Sequence, residues 1–128
     1  MRRIVALFGV MLLIIGIRLY NNGLINCGYA GTLSYGTFDT VAYEDAPLLI
    51  DGPHRMDLIG DIITASEIMD NLDAKLLWVE NVDDIMIIYA YSPRLVKPVV
   101  VHGQKVNLMI SVSSSHVAAG TPLLYGSY

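Results

Sequence analysis

The sequence predicts an α+β fold: an N-terminal apolar anchor helix, then one amphipathic helix packed on a four- to five-stranded antiparallel sheet. Three observations lead there. Ile4 to Ile17 is an apolar run without a charge, set behind Arg2-Arg3. Met56 to Leu72 repeats its apolar residues at spacings of three and four. From Lys75 onward the period falls to two, and turn residues separate the runs.

The first segment, residues 1–20, reads as a membrane anchor or signal segment. Two arginines ahead of an apolar stretch favour a cytoplasmic N-terminus. The run falls short of the roughly 20 residues that span a bilayer, but Arg18 can snorkel and Leu19-Tyr20 can reach the interface. A cleaved signal peptide would use Gly28-Tyr29-Ala30, and a lipoprotein signal Leu24-Ile25-Asn26-Cys27; both sites lie far from Ile17. An uncleaved anchor needs neither. A helix that is apolar all round would need protein on every side to be buried in a soluble domain of this size.

Residues 21–40, rich in Gly, Asn, Thr and Tyr, read as a linker, and residues 41–128 as the α+β domain. Val41 to Ile50 holds a candidate first strand. Asp51-Gly52-Pro53 makes a turn that can open a helix. In the helix expected from Met56 to Leu72, the residues Leu58, Ile62, Ala65, Met69 and Leu72 share a face, and Asp57 and Asp61 meet its positive end. Lys75 to Glu80 is then a short strand, and Asn81 to Asp84 a turn. Ile85 to Ser92 is apolar on both faces, as a central strand is. Val99 to Val101 is a strand after Pro98, and His102-Gly103 a hairpin turn with Gly103 at positive φ. Lys105 to Val112 alternates, with Val106, Leu108, Ile110 and Val112 on one side and Asn107, Met109 and Ser111 on the other. His116 to Ala119 forms a last strand before the Gly120-Thr121-Pro122 tail.

Charge and residue inventory narrow the function. The chain of 128 residues carries a net charge of -4. Three of its eight basic residues lie in the first twenty positions, where no acid occurs, so the rest carries a net charge of -7. Such a surface repels phosphates and argues against nucleic acid as a partner. Cys27, the one cysteine, has no basic neighbour in sequence to activate it. His54, His102 and His116 pair with no cysteine or second histidine at metal-ligand spacing and read as exposed turn residues. Asp83-Asp84 is better turn chemistry than a carboxylate pair. Ser113-Ser114-Ser115-His116 lacks the glycine-flanked serine of a nucleophile elbow. Tyr89, Tyr91 and Trp78 read as aromatics packed under the helix with their polar ends at the rim. No phosphate-binding glycine loop occurs, so no cofactor is expected and no catalytic, cofactor or metal residue is assigned.

Tyr89-Ala90-Tyr91-Ser92-Pro93, then Val106-Asn107-Leu108 in an alternating strand, then Gly120-Thr121-Pro122-Leu123, resemble the YwmB family of spore-forming Firmicutes. The resemblance covers Lys75 to Tyr128. It implies a fold like that of the TATA-box-binding protein, a helix followed by a four-stranded antiparallel sheet, together with an export segment and a sporulating bacterium. It implies no catalytic residue. The Gly120 to Tyr128 stretch leaves no room for the helix that closes such a unit.

These readings predict a non-enzymatic, single-pass domain at the outer face of a bacterial membrane, with a protein-interaction role in the envelope or in sporulation. Its partners are the membrane, through the N-terminal segment, and another envelope protein. Secretion after signal cleavage is the alternative placement. The alternative function is a small extracytoplasmic hydrolase using His116 with nearby Ser and Asp residues.

Overall fold

The computed structural model describes residues 5–12, 24, 27–29, 31–35, 39–42 and 53–124. Residues 5–12 form helix α1. Strands β1 (Thr32–Tyr35), β2 (Asp39–Ala42) and β3 (His54–Ile59) follow, then helix α2 (Ile62–Asn71). Strands β4 (Lys75–Val82), β5 (Ile85–Tyr91), β6 (Val99–Val101), β7 (Gln104–Val106), β8 (Leu108–Val112) and β9 (His116–Thr121) complete the elements among the described residues. Seven strands make one antiparallel sheet in the order β2-β1-β3-β9-β8-β5-β4, and β6 and β7 form a separate two-stranded ribbon.

The α+β class expected from periodicity is present, with a larger sheet than the four or five strands anticipated. Two corrections account for the difference. The helix expected from Met56 is shorter, because His54 to Ile59 is a strand. Met56 and Leu58 point to the core while Arg55 and Asp57 point away, so the segment has period two as well as period four. Gly60 separates the elements, and Asp61 caps α2 by accepting from the amides of Ile63 and Thr64 at 3.0 and 3.2 Å. Asp57, expected beside the helix start, is therefore on a strand. The second correction concerns the linker. Thr32–Tyr35 pairs with β3, and Leu24, Cys27 and Leu33 are fully buried in the core. These short contributions carry no period to reveal them.

Other elements match more closely. Lys75 to Val82 and Ile85 to Tyr91 form the expected hairpin, but the first strand runs two residues past Glu80, so Asn81 and Val82 are paired and the turn is Asp83-Asp84 alone, with Asp83 at φ 54. His102 and Gly103 take φ 50 and 76, the backbone of a type I′ turn. The strand expected from Lys105 to Val112 is broken at Asn107 into β7 and β8. The last strand runs on through Thr121, past the expected Ala119. Of the candidate strand at 41–50, Val41 and Ala42 end β2, and residues 43–50 lie outside the described residues. So do residues 1–4 and 13–20 of the anchor segment and 125–128 of the tail.

The sheet has two covered faces. Ala65 and Ile68 of α2, with Leu72 at its C-cap, pack on Ile88, Ala90, Leu108 and Ile110, and each large aliphatic side chain buried there contributes about 1.5–3 kcal/mol. The opposite face holds Ile87, Met109 and Ala118 under Leu124, which the chain brings back across the sheet after Pro122. A Cβ on Gly120 would lie 2.6 Å from the Leu123 carbonyl oxygen and the Leu124 Cα, so only glycine admits this return.

Candidate functional site

Three polar groups meet on the sheet face away from α2. Arg55 and Asp57 stand two apart on β3 and point the same way, which lets the guanidinium grip the carboxylate with two bonds, Nε to Oδ2 at 2.9 Å and Nη2 to Oδ1. The ladder sets Asp57 opposite Ala118 and Ile59 opposite His116. His116 thus lies diagonal to Asp57, and its Nε2 is 3.0 Å from Oδ1. An ionised carboxylate only accepts, so Nε2 is the protonated nitrogen in this contact. Asp57 is shared between two cationic or donor groups and is suited to holding His116 in place. Ser113 is not aimed at the ring: its hydroxyl donates to the His116 backbone carbonyl at 3.3 Å. Sequence spacing does not disclose Asp57 as the partner, because it lies 59 residues away and the apolar period places it in a helix.

The other end of the same face is aromatic. Trp78 and Tyr89 are directly paired across β4 and β5, and their rings stack at 4.5 Å. His102, at the tip of the β6–β7 ribbon, meets the Trp78 ring edge-on at 5.7 Å. Glu80 accepts from the Trp78 indole at 3.4 Å and from the Tyr89 hydroxyl at 3.3 Å. Period two sends Ile88 and Ala90 to the helix side and Tyr89 to the other. The tyrosines are therefore not under the helix as expected, although Trp78 does join Tyr89.

A third feature is an open cavity of about 520 Å³ at the end of the sheet, between the β4–β5 turn and the loop after β8. Asn81, Asp83, Asp84, Ser113 and Ser114 supply its polar groups, with Ile62, Ile85, Met86 and Val112 as apolar wall. His116 does not line it. Among the described residues no three His, Cys, Asp or Glu side chains are placed to hold a metal ion.

The three histidines have different fates. His54 is buried, not an exposed turn residue, and its Nε2 accepts from the Leu24 amide at 3.2 Å. His102 is in an exposed turn. His116 starts a strand. With Trp78 in line with Gly120 and His116 four residues further along β9, the last two histidines are three strand spacings apart across the sheet and four residues along it, roughly 19 Å. Cys27 is fully buried against Met56, and burial pushes its thiol up to about 11.

The motifs at Ser92 and Asn107 meet in the structure. The Asn107 side chain accepts from the Ser92 amide and donates to the Ser92 and Leu95 carbonyls, while the Ser92 hydroxyl donates to the Leu72 carbonyl. Arg94 donates to the Asn71 carbonyl at 2.7 Å at the end of α2. These contacts tie the helix end to the sheet and are structural.

One sheet border is long and open. β4 is the last strand, eight residues long, and its outer main chain pairs with no strand among the described residues. Leu76, Val79 and Val82 on it are 52%, 40% and 47% exposed. Compared with protein-family models, with curated proteins and with solved structures, the chain matches none.

Proposed function

We propose that this chain is a single-pass, membrane-tethered domain held on the extracytoplasmic side, and that it acts by contacting another protein of the envelope, not by catalysis. The observation that carries the reading is the state of α1. Val5, Leu7, Phe8, Val10, Met11 and Leu12 are each more than half exposed, so the described part of the apolar segment is not packed into the domain. An exposed apolar helix behind Arg2-Arg3 seeks a lipid phase. No helix among the described residues is by itself long and apolar enough to cross a membrane, and the proposed span uses residues 4–20 as a whole. The resemblance to the YwmB family supports a role in sporulation or the envelope.

A topology reporter fused after Tyr128, with a mass measurement of the mature chain, tests this. The expected result is an extracytoplasmic reporter on a full-length chain in the membrane fraction. A full-length chain in the cytosolic fraction overturns it. A shortened chain in the medium shifts the reading to a secreted domain.

A second reading rests on the His116–Asp57 contact, which resembles the base and orienting acid of a hydrolase. It requires a nucleophile within about 3 Å of the free side of His116. Ester hydrolysis that is lost in His116→Ala and retained in His102→Ala would favour it over the interaction role.

A further inference from the structure

We infer that the open border of the sheet is a self-recognition edge, with β4 of one copy lying antiparallel to β4 of a second copy. The inference deepens the interaction role proposed above and rests on it only in requiring a protein partner.

A strand that pairs with its own copy about a twofold axis must put side chains of the same face opposite one another. The pairing of β4 with β5 assigns the faces. Lys75, Trp78, Glu80 and Val82 stand opposite Tyr91, Tyr89, Ile87 and Ile85, on the face away from α2. Leu76, Val79 and Asn81 stand opposite Ala90, Ile88 and Met86, on the α2 face. Between Leu76 and Trp78 the register shifts at a bulge, which re-phases the two halves of the strand.

That shift limits the pairing. With the axis between Leu77 and Trp78, the assigned faces agree at both outer pairs of the stretch from Lys75 to Glu80. Lys75 then meets Glu80 of the second copy, and Leu76 meets Val79, each contact occurring twice by symmetry. Moving the axis by half a residue to either side sets Leu76 against a residue of the opposite face. A register centred on Glu80 also matches faces, but it covers only Trp78 to Val82 and opposes two like charges. The favoured register opposes unlike charges and covers the exposed Leu76 and Val79. It also places a charge-balanced stretch at the seam of a domain whose net charge would otherwise repel its copy.

Lysine and a bulge are common means of keeping edges apart. Here the lysine has a complementary glutamate at the matching position, and the bulge selects a register without closing the edge. Lys75 makes no ion pair among the described residues, so it is available to the second copy.

The test uses the full chain, in detergent if it fractionates with membranes. Lys75→Glu and Glu80→Lys are each expected to weaken dimerisation about tenfold by light scattering, and the double exchange to restore it. Because Glu80 also accepts from Trp78 and Tyr89, melting curves accompany each variant. A chain carrying Leu76→Cys with Val79→Cys is expected to give a covalent dimer on mild oxidation. Within one chain these positions are roughly 10 Å apart, too far for a disulfide. Leu76→Cys with Asn81→Cys is expected to give none. A monomer at about 100 µM, a typical assay concentration chosen to reveal even weak association, together with no cross-link, overturns the inference. If that monomer still binds a different protein from membranes, and Lys75→Glu abolishes the binding, the second copy is ruled out while the interaction role stands. If no protein is bound at all, both fall.

Discussion

The side-chain amide of Asn107 grips the main chain of Ser92 at two points: Oδ1 accepts from its amide at 2.7 Å and Nδ2 donates to its carbonyl at 2.7 Å. Nδ2 also donates to the Leu95 carbonyl at 3.1 Å. Asn107 thus pairs like a length of backbone where β7 gives way to β8. It is fully buried, and of the three groups only the Ser92 carbonyl has another partner among the described residues, the Leu95 amide at 3.2 Å. Asn107→Ala leaves the Ser92 amide and the Leu95 carbonyl unpaired, strips the Ser92 carbonyl of one of its two donors, and opens a small void. A loss of about 3 kcal/mol is expected in urea unfolding. Asn107→Asp removes both donors and is expected to cost at least as much at neutral pH.

Asp61 closes the start of α2 with a reciprocal pair, its side chain on the Thr64 amide and the Thr64 hydroxyl accepting from its own amide at 3.3 Å. Asp61→Ala is expected to cost about 1 kcal/mol, and Asp61→Asn much less, since an amide oxygen also caps. Thermal melts of the two variants check this.

Cys27 predicts a pH effect. Its thiol titrates at about 11 in the folded chain against an ordinary value of 9.0, because burial disfavours the thiolate. A raised folded value means the stabilisation is complete below pH 9 and is lost as pH rises toward 11. Wild type is expected to lose about 2 kcal/mol more than Cys27→Ala over that window, the difference isolating this group from other titrations. Alkylation by N-ethylmaleimide at pH 7.5 (roughly one unit below the ordinary cysteine range) should be slow on folded chain and fast in urea.

Gly120→Ala places a methyl group against the returning tail, where the nearest backbone atoms are 2.6 Å away. Displacement of Leu123 and Leu124 is expected, with a cost of about 2 kcal/mol. Dye binding to the uncovered Ile87–Met109 surface would report it.

Much of the sheet was legible because β5, β8 and β9 are strands of period two bounded by residues that turn the chain. His102-Gly103 shows this most clearly: the turn and the positive φ expected at Gly103 are present, and His102 takes a positive φ as well. The helix was read too long because Met56 and Leu58 satisfy two periods at once; Gly60 followed by Asp61 was the stop-and-cap signal that separates them. Leu24, Cys27 and Leu33 were invisible as core residues because burial of scattered single residues leaves no pattern. The site was less legible still. Asp57 meets His116, and Trp78 meets His102, only through tertiary pairing, and neither contact has a local signature.

The order of strands has a consequence for how this protein is made. β3 emerges from the ribosome early, yet its neighbour β9 ends at Thr121. Until that last strand arrives, β1 and β3 have no bridge to β4, β5 and β8, and two half-sheets wait with bare borders. Closing contacts this distant along the chain makes folding slow. A nascent chain halted before Val117 exposes both inner borders, and the arrival of β9 decides whether the two half-sheets join.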